Sequence, residues 1–336
     1  MLNIKTPKGI FRRYLLWLKY DGSRFPEMAT SSHGFGIVDT VHRCLEYLTN
    51  PSTLQPNNIR ISPSSRTDSG VHAHRTSVIV HMPLKDNEAL DETPKMKEKN
   101  LSKINELLRS ANSEALKVLD FHSVSPGFCA RRHVIYRHYA YRLVVPKSFD
   151  LCYPNKPSLP LISENPYSFI LTPRFDVNRA AEACQKLEGV HNIASFFKHT
   201  FRERREGSTE NTIRWLRHIG ITRGSAYSLS SSHFDYYVVN FISRSYCREQ
   251  IRRMIAVIVA YANGRIEMRD IEWLLSRPDP INFFAFHIKA APPNGLFLAN
   301  VVYDPDSYLN PQPYAIHPWD YDDPLLEVND EKNNVC

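Results

Sequence analysis

The stretch that most constrains this chain runs from Asn58 to Met82. Asn58-Ile-Arg-Ile-Ser62 and Thr76-Ser-Val-Ile-Val-His-Met82 both alternate apolar or β-branched residues with polar ones, the period of a half-buried strand. The segment between them, Ser62 to His74, is therefore a loop joining two strands. Inside it Arg66 and Asp68 stand two residues apart, with Gly70 just beyond to let the backbone turn sharply. Such a loop can be an Asx-turn with a surface ion pair, or it can present one carboxylate as a reagent.

Taken in order, Arg13 to Gly22 reads as a first strand ending in an Asp-Gly turn. Val38, Val41, Leu45 and Leu48 mark one face of a helix starting near Asp39 or Thr40. Residues 84–100 are charged and contain Pro94, and read as a solvated insertion. Helical spacing resumes at Leu101, Ile104, Leu107 and Leu108, and Leu116 to Phe121 reads as a strand. The order strand, helix, strand, strand, helix, strand predicts a ferredoxin-like α+β half.

In the second half, Phe128 to Leu143 ends in an alternating strand with Tyr139 and Tyr141 on one face and His138 and Arg142 on the other. Pro146 to Pro173 holds six prolines and reads as an irregular connector. Asp176 is placed to cap a helix with Val177, Ala180, Ala181, Cys184 and Leu187 on one face, ended by Gly189. Lys198 to Arg205 is a mainly basic run. Asn211 to Ile221 and Tyr236 to Ile242 read as paired strands, followed by an apolar helix over Ser245 to Ala260. Arg244, Arg248, Arg252 and Arg253 cluster at its start, where free helix amides also attract anions. Pro292 to Tyr303 reads as a closing strand, and the chain beyond about 304 as a disordered tail.

Lys and Arg outnumber Asp and Glu by 42 to 35, giving a net charge of +7, with much of the acid in the C-terminal tail. A body more basic than its total favours a polyanionic partner such as nucleic acid. The six cysteines, at 44, 129, 152, 184, 247 and 336, have no CxxC and no even framework, and read as thiols of a reducing compartment. No apolar run approaches the roughly 18 residues of a membrane span. The first eleven residues form a basic leader too short for a typical secretory signal.

Arg66-Thr-Asp-Ser-Gly-Val-His-Ala73 resembles the catalytic loop of TruA-type tRNA pseudouridine synthases, written GRTDAGVHA, with Ser65 and Ser69 replacing glycine and alanine. Four further stretches are similar to motifs of that family, in the same order. Tyr20-Asp-Gly22 with Phe25 matches the end of the opening strand, although Pro26-Glu-Met-Ala-Thr replaces the usual Gln-rich continuation. Phe128-Cys-Ala-Arg131 matches FHAR and places the family's active-site tyrosine, eight residues on, at Tyr139. Ile251-Arg-Arg253 matches the FLxxxVRR helix and places its buried arginine at Arg252, while Leu296 matches an active-site leucine. SSRTD and the QIRRM-type helix are also found in the eukaryotic tRNA pseudouridine synthase-like 1 branch. At Gly189-Val-His-Asn192, asparagine stands where the family's GxHD has aspartate.

The resemblance implies two related halves sharing a mostly antiparallel sheet, helices on one face and a central basic cleft. The expected division is a leader at 1–11, halves at 12–122 and 123–304, and a tail at 305–336. It also implies isomerisation of uridine in tRNA or another structured RNA without any cofactor. Asp68 would act at the glycosidic bond, with Arg252 as its buried partner. Tyr139 would stack on the uracil and serve as base near carbon 5, and Leu296 would pack against the ring. Arg66 would fill the gap left by the flipped base or hold its phosphate, with Arg131 and Arg248 as further RNA contacts and His72 bonding the loop. His72 and His74 lack a third ligand at metal-site spacing. An inactive RNA-binding protein of the same fold and a metal-dependent hydrolase are the alternatives. Family members often form homodimers, and mitochondrion or cytoplasm is the expected location.

Overall fold

The computed structural model describes residues 11–309, apart from 29–33, 50–58, 84–91, 112–113, 126–127, 150–162, 201–202, 204–211 and 228–231. The chain divides into two compact units. The first holds the described residues up to Ser69, Ala73–Ile135 and those from Val301 on; the second holds Gly70–His72 and Tyr136–Asn300.

In the first unit β1 (Phe11–Tyr20) lies between β4 (Leu116–Ser123) and β3 (His72–Pro83), antiparallel to both, and β2 (Arg60–Pro63) pairs with β3. Tyr14 to Leu18 are all buried, because β1 is covered on both faces. Helices α1 (Ile37–Thr49) and α2 (Pro94–Ser110) pack on each other, and α2 packs on β4. The Asp39 carboxylate accepts from Gly36 N at 2.9 Å, capping α1 as its position suggested. The expected element order is therefore what forms. The helix read at 101–108 starts earlier, because Pro94 sits in its first turn, where its missing N–H is no loss. Strand β3 likewise begins at His72, inside the segment expected to be loop.

In the second unit the strands run in the order β10 (Leu296–Val302), β5 (Tyr136–Pro146), β9 (Phe234–Ser243), β8 (Ile213–Arg223) and β7 (Gly189–Asn192), with β6 (Phe169–Ile170) added to β5. The described registers are antiparallel except β5 with β6. Asp176 caps α3 (Val177–Leu187) through Asn178 N at 2.8 Å and Arg179 N at 3.3 Å. Its apolar face, Ala180, Ala183, Cys184 and Leu187, packs on β8 and on α4 (Gln250–Ala262). Helix α4 starts five residues later than the sequence pattern suggests, because Glu249 has a left-handed backbone that no helix can include. Helix α5 (Met268–Ser276), which the sequence reading passed over, is set by a capping box between Glu267 and Asp270 and by buried Ile271 and Leu274. A last turn, α6 (Asp306–Leu309), lies where tail was expected; residues 310–336 fall outside the description.

Both units are mixed α+β with mostly antiparallel strands, as the sequence order implied. Among the described residues no helix is long and apolar enough to cross a membrane. Cys44, Cys184 and Cys247 are free thiols, whereas Cys129 is disulfide-bonded, a departure from the all-thiol expectation.

Candidate functional site

The loop between β2 and β3 is tied down at both ends. Ser64 N donates to Ser77 O at 3.0 Å, closing the start of the loop onto β3. The hydroxyl of Tyr20, the last residue of β1, shares a 2.8 Å hydrogen bond with Thr67 Oγ1. Thr67 is Asp68's immediate neighbour, so the buried end of β1 sets where the carboxylate begins. Asp68 itself is half-buried, and Arg66 is exposed.

The Phe128–Arg131 segment is fixed in the same unit. Tyr303 donates its hydroxyl to Ala130 O and accepts from Ser77 Oγ, each at 2.7 Å. Arg13 donates to Ser125 O at 3.1 Å and to Phe128 O at 2.8 Å. Burial pushes the Arg13 guanidinium down to about 10, which still leaves it charged at neutral pH. Arg131, at the exposed end of this clamped segment, is presented to solvent.

Gly70–His72 leads into the second unit. Gly70 has φ +79, and a Cβ there would lie 3.0 Å from Pro293 Cγ, so backbone sign and close approach both demand glycine. The His72 ring is buried and stacked on Phe297, 4.7 Å between centroids and 23° between planes, with Tyr167 tilted against it at 5.1 Å. His72 thus anchors the exit of the loop from within packed rings and is not presented to solvent.

Tyr139 and Tyr141 share a face of β5 but have different surroundings. Tyr141 is wholly buried and donates its hydroxyl to Pro292 O at 2.7 Å. Its ring also lies where a Cβ on Gly295 would stand, 2.8 Å from Cε1. Burial pushes its phenol well above the usual range, only partly offset by the charge of Arg252. The Tyr139 ring meets the edge of Tyr246 at 5.2 Å and 83°. Tyr246 is likewise held neutral, by burial first and by Tyr139 second. Leu296, at the start of β10, is buried.

The four arginines expected together at the start of α4 do four different things. Arg252 Nε donates to Ala291 O at 2.8 Å while Ala291 N donates back to Arg252 O at 3.0 Å, and Arg252 Nη1 lies 3.5 Å from Glu249 Oε1. Arg253 turns into the core, 4.7 Å from the centroid of Phe283, and donates to Phe197 O at 3.1 Å. Arg248 is exposed, 3.5 Å from Glu203 Oε2. Arg244 precedes the helix by six residues; burial, and then Arg217, lower its affinity for its proton. Among the described residues no three His, Cys, Asp or Glu side chains come together to hold a metal ion.

Comparison with known proteins bears on both units. Residues 183–304, which contain Arg248, Arg252 and Leu296, match the model of the tRNA pseudouridine synthase family. The chain is 29% identical to tRNA pseudouridine synthase-like 1 of Mus musculus over 299 residues, 87% of this chain and 94% of that protein. The chain is similar to the tRNA pseudouridine synthase family. It is also 28% identical to the Homo sapiens tRNA pseudouridine synthase-like 1 over 298 residues, 87% of this chain and 90% of that one. With tRNA pseudouridine synthase A of Campylobacter jejuni subsp. doylei it shares 25% identity over 284 residues, 84% and 96% of the two chains.

The sequence-derived residues separate by unit. Asp68, Arg66 and Arg131 lie in the first; His72, Tyr139, Arg248, Arg252 and Leu296 lie in the second. The second unit brings Tyr141 and Arg252 into electrostatic reach, and it pairs Tyr139 with Tyr246. Sequence reasoning assigned no role to Tyr20, Glu249 or Tyr246. For Tyr20 a signal existed, since it stands in the Tyr-Asp-Gly turn; the other two are visible only through their three-dimensional contacts.

Proposed function

We propose that this protein isomerises uridine to pseudouridine in tRNA. The observation that carries the reading is the Arg66–Ala73 loop, set by Tyr20, Ser77 and the left-handed Gly70 so that a half-buried carboxylate stands at its middle.

The reaction breaks the bond between ribose C1′ and uracil N1, turns the base, and joins C1′ to C5. The proton on C5 is then lost and N1 gains one, so atoms and charge balance with no redox step or added water. Asp68 supplies the carboxylate that acts at the reacting uridine, as nucleophile or as electrostatic partner of the separating ribose. Tyr139 offers an aromatic face for the base and a phenol for the C5 proton, and Leu296 excludes water from the ring. Arg252, anchored by Ala291, supplies a guanidinium held in a fixed orientation. Arg66, Arg131 and Arg248 are exposed and suited to phosphates. His72 acts indirectly, by fixing the end of the loop.

We also propose a mitochondrial or cytoplasmic location, on the family resemblance, and a homodimer as the working form. The isomerase reading is tested by mapping pseudouridine chemically in RNA from cells holding wild type, Asp68→Ala or no protein. Sites restored by wild type alone support it and name the substrate. No Asp68-dependent site in cells that contain folded protein overturns it.

A further inference from the structure

Glu249, the residue just before α4, has φ 58 and ψ 5; among the described non-glycine residues only His287 shares that backbone region. A left-handed backbone disfavours an L side chain, and glycine or asparagine would adopt it more readily. Such a conformation persists only where the surroundings hold it, and the carboxylate shows what does so. Oε1 lies 2.8 Å from Lys198 Nζ and 3.5 Å from Arg252 Nη1, and Oε2 lies 3.8 Å from Arg253 Nε. One acid thus faces three cations.

An exposed ion pair of this kind would contribute little. Here the side chains of Glu249, Arg252 and Arg253 are 14%, 15% and 5% exposed, so solvent and salt screen the two arginine pairs weakly, whereas Lys198, at 49%, is open to solvent. The second anchor of Arg252, the carbonyl of Ala291, engages Nε. The hydrogen bond to Ala291 and the ion pair with Glu249 thus engage the guanidinium at two different nitrogens. The neighbouring backbone is tied in as well, since Lys198 N donates to Arg248 O at 3.0 Å. Strain at residue 249 therefore coincides with the charge that orients Arg252.

We propose that Glu249 is a positioning residue for Arg252, holding its guanidinium in place and offsetting its repulsion from Lys198 and Arg253. This rests on the isomerase reading above. The carboxylate touches no reacting atom; it acts through the arginine, so its loss should slow chemistry more than it weakens RNA binding.

The experiment compares Glu249→Asn and Glu249→Gln with wild type in single-turnover pseudouridine formation on a tRNA transcript, with RNA affinity and melting temperature measured alongside. Asparagine relieves the backbone strain and removes the charge; glutamine keeps length and strain and removes only the charge. Both should bind RNA within about threefold of wild type and react on the order of 10- to 100-fold more slowly, the scale of a misplaced catalytic group. Glu249→Asn should melt no lower than Glu249→Gln. Wild-type rates in folded variants, or a loss of melting temperature with an unchanged rate, overturn the inference and leave the isomerase reading intact. A wild-type protein inactive on every tRNA overturns that reading and this inference with it.

Discussion

The hydrogen bond between Tyr20 and Thr67 can be isolated by a double-mutant cycle. Tyr20→Phe and Thr67→Val each remove one hydroxyl with little change of shape, and the bond they share is 2.8 Å long. Tyr20 is 3% exposed, so water is poorly placed to substitute for a lost partner. A net hydrogen bond contributes about 0.5–1.5 kcal/mol, and an orphaned buried partner costs about 1–3 kcal/mol. Each single variant should therefore lose about 1–2 kcal/mol of stability in urea unfolding, and the double variant scarcely more. The coupling energy should be about 1 kcal/mol, well above the roughly 0.3–0.5 kcal/mol within which independent sites add. The same cycle in single-turnover rate should show about a fivefold loss in each single variant, roughly 1 kcal/mol of barrier, with no further loss in the double. Additive effects in both measurements would refute the argument that the end of β1 positions the loop.

Gly70→Ala should lose about 1–2 kcal/mol from its positive φ alone, before any contact with Pro293, and should slow catalysis by moving Asp68; melting and single-turnover rate together test both effects. Arg252→Met and Arg253→Met should behave oppositely. The first should lose mainly rate, with some loss of melting temperature as its bond to Ala291 O and its ion pair with Glu249 go, and the second should lose mainly melting temperature because a guanidinium packed over Phe283 and bonded to Phe197 O is removed. Asp120 gives a pH signature. Desolvation raises its pKa, but hydrogen bonds from His122 and Lys97 outweigh this and hold it well below the usual carboxylate range. A depressed acid stabilises the fold above its unfolded pKa of about 3.9 and loses that contribution as pH falls toward the folded value. Denaturant melts of wild type should therefore weaken below about pH 4 more steeply than those of Asp120→Asn.

What the sequence made legible was what short-range physics decides. Asp176 capped α3 because an aspartate reaches the second and third amides of its own helix, and that needs no distant partner. The strand–loop–strand around Asp68 was equally plain from alternation on either side. Pro94 misled because its ring forbids a helix interior yet suits a first turn, and only the residues after it tell the two apart. The four arginines near α4 looked alike as a charge cluster. Their separation into an Arg252 held by Ala291 and an Arg253 turned onto Phe283 depends on where those two residues arrive from elsewhere in the chain. The left-handed Glu249 was hidden for the same reason, since its cause is a set of cations gathered by the fold. The family motifs carried Tyr139, but its contact with Tyr246 had no signature in spacing.

The most direct test of the central claim is tritium release from a tRNA transcript labelled at uracil carbon 5, comparing wild type with Asp68→Asn. Pseudouridine formation must expel the carbon 5 hydrogen. Wild type should therefore release tritium in step with the pseudouridine formed, and Asp68→Asn, folded and still binding RNA, should release none above background. Release by Asp68→Asn at the wild-type rate would contradict the role given to Asp68, and no release by wild type from any tRNA would contradict the activity itself.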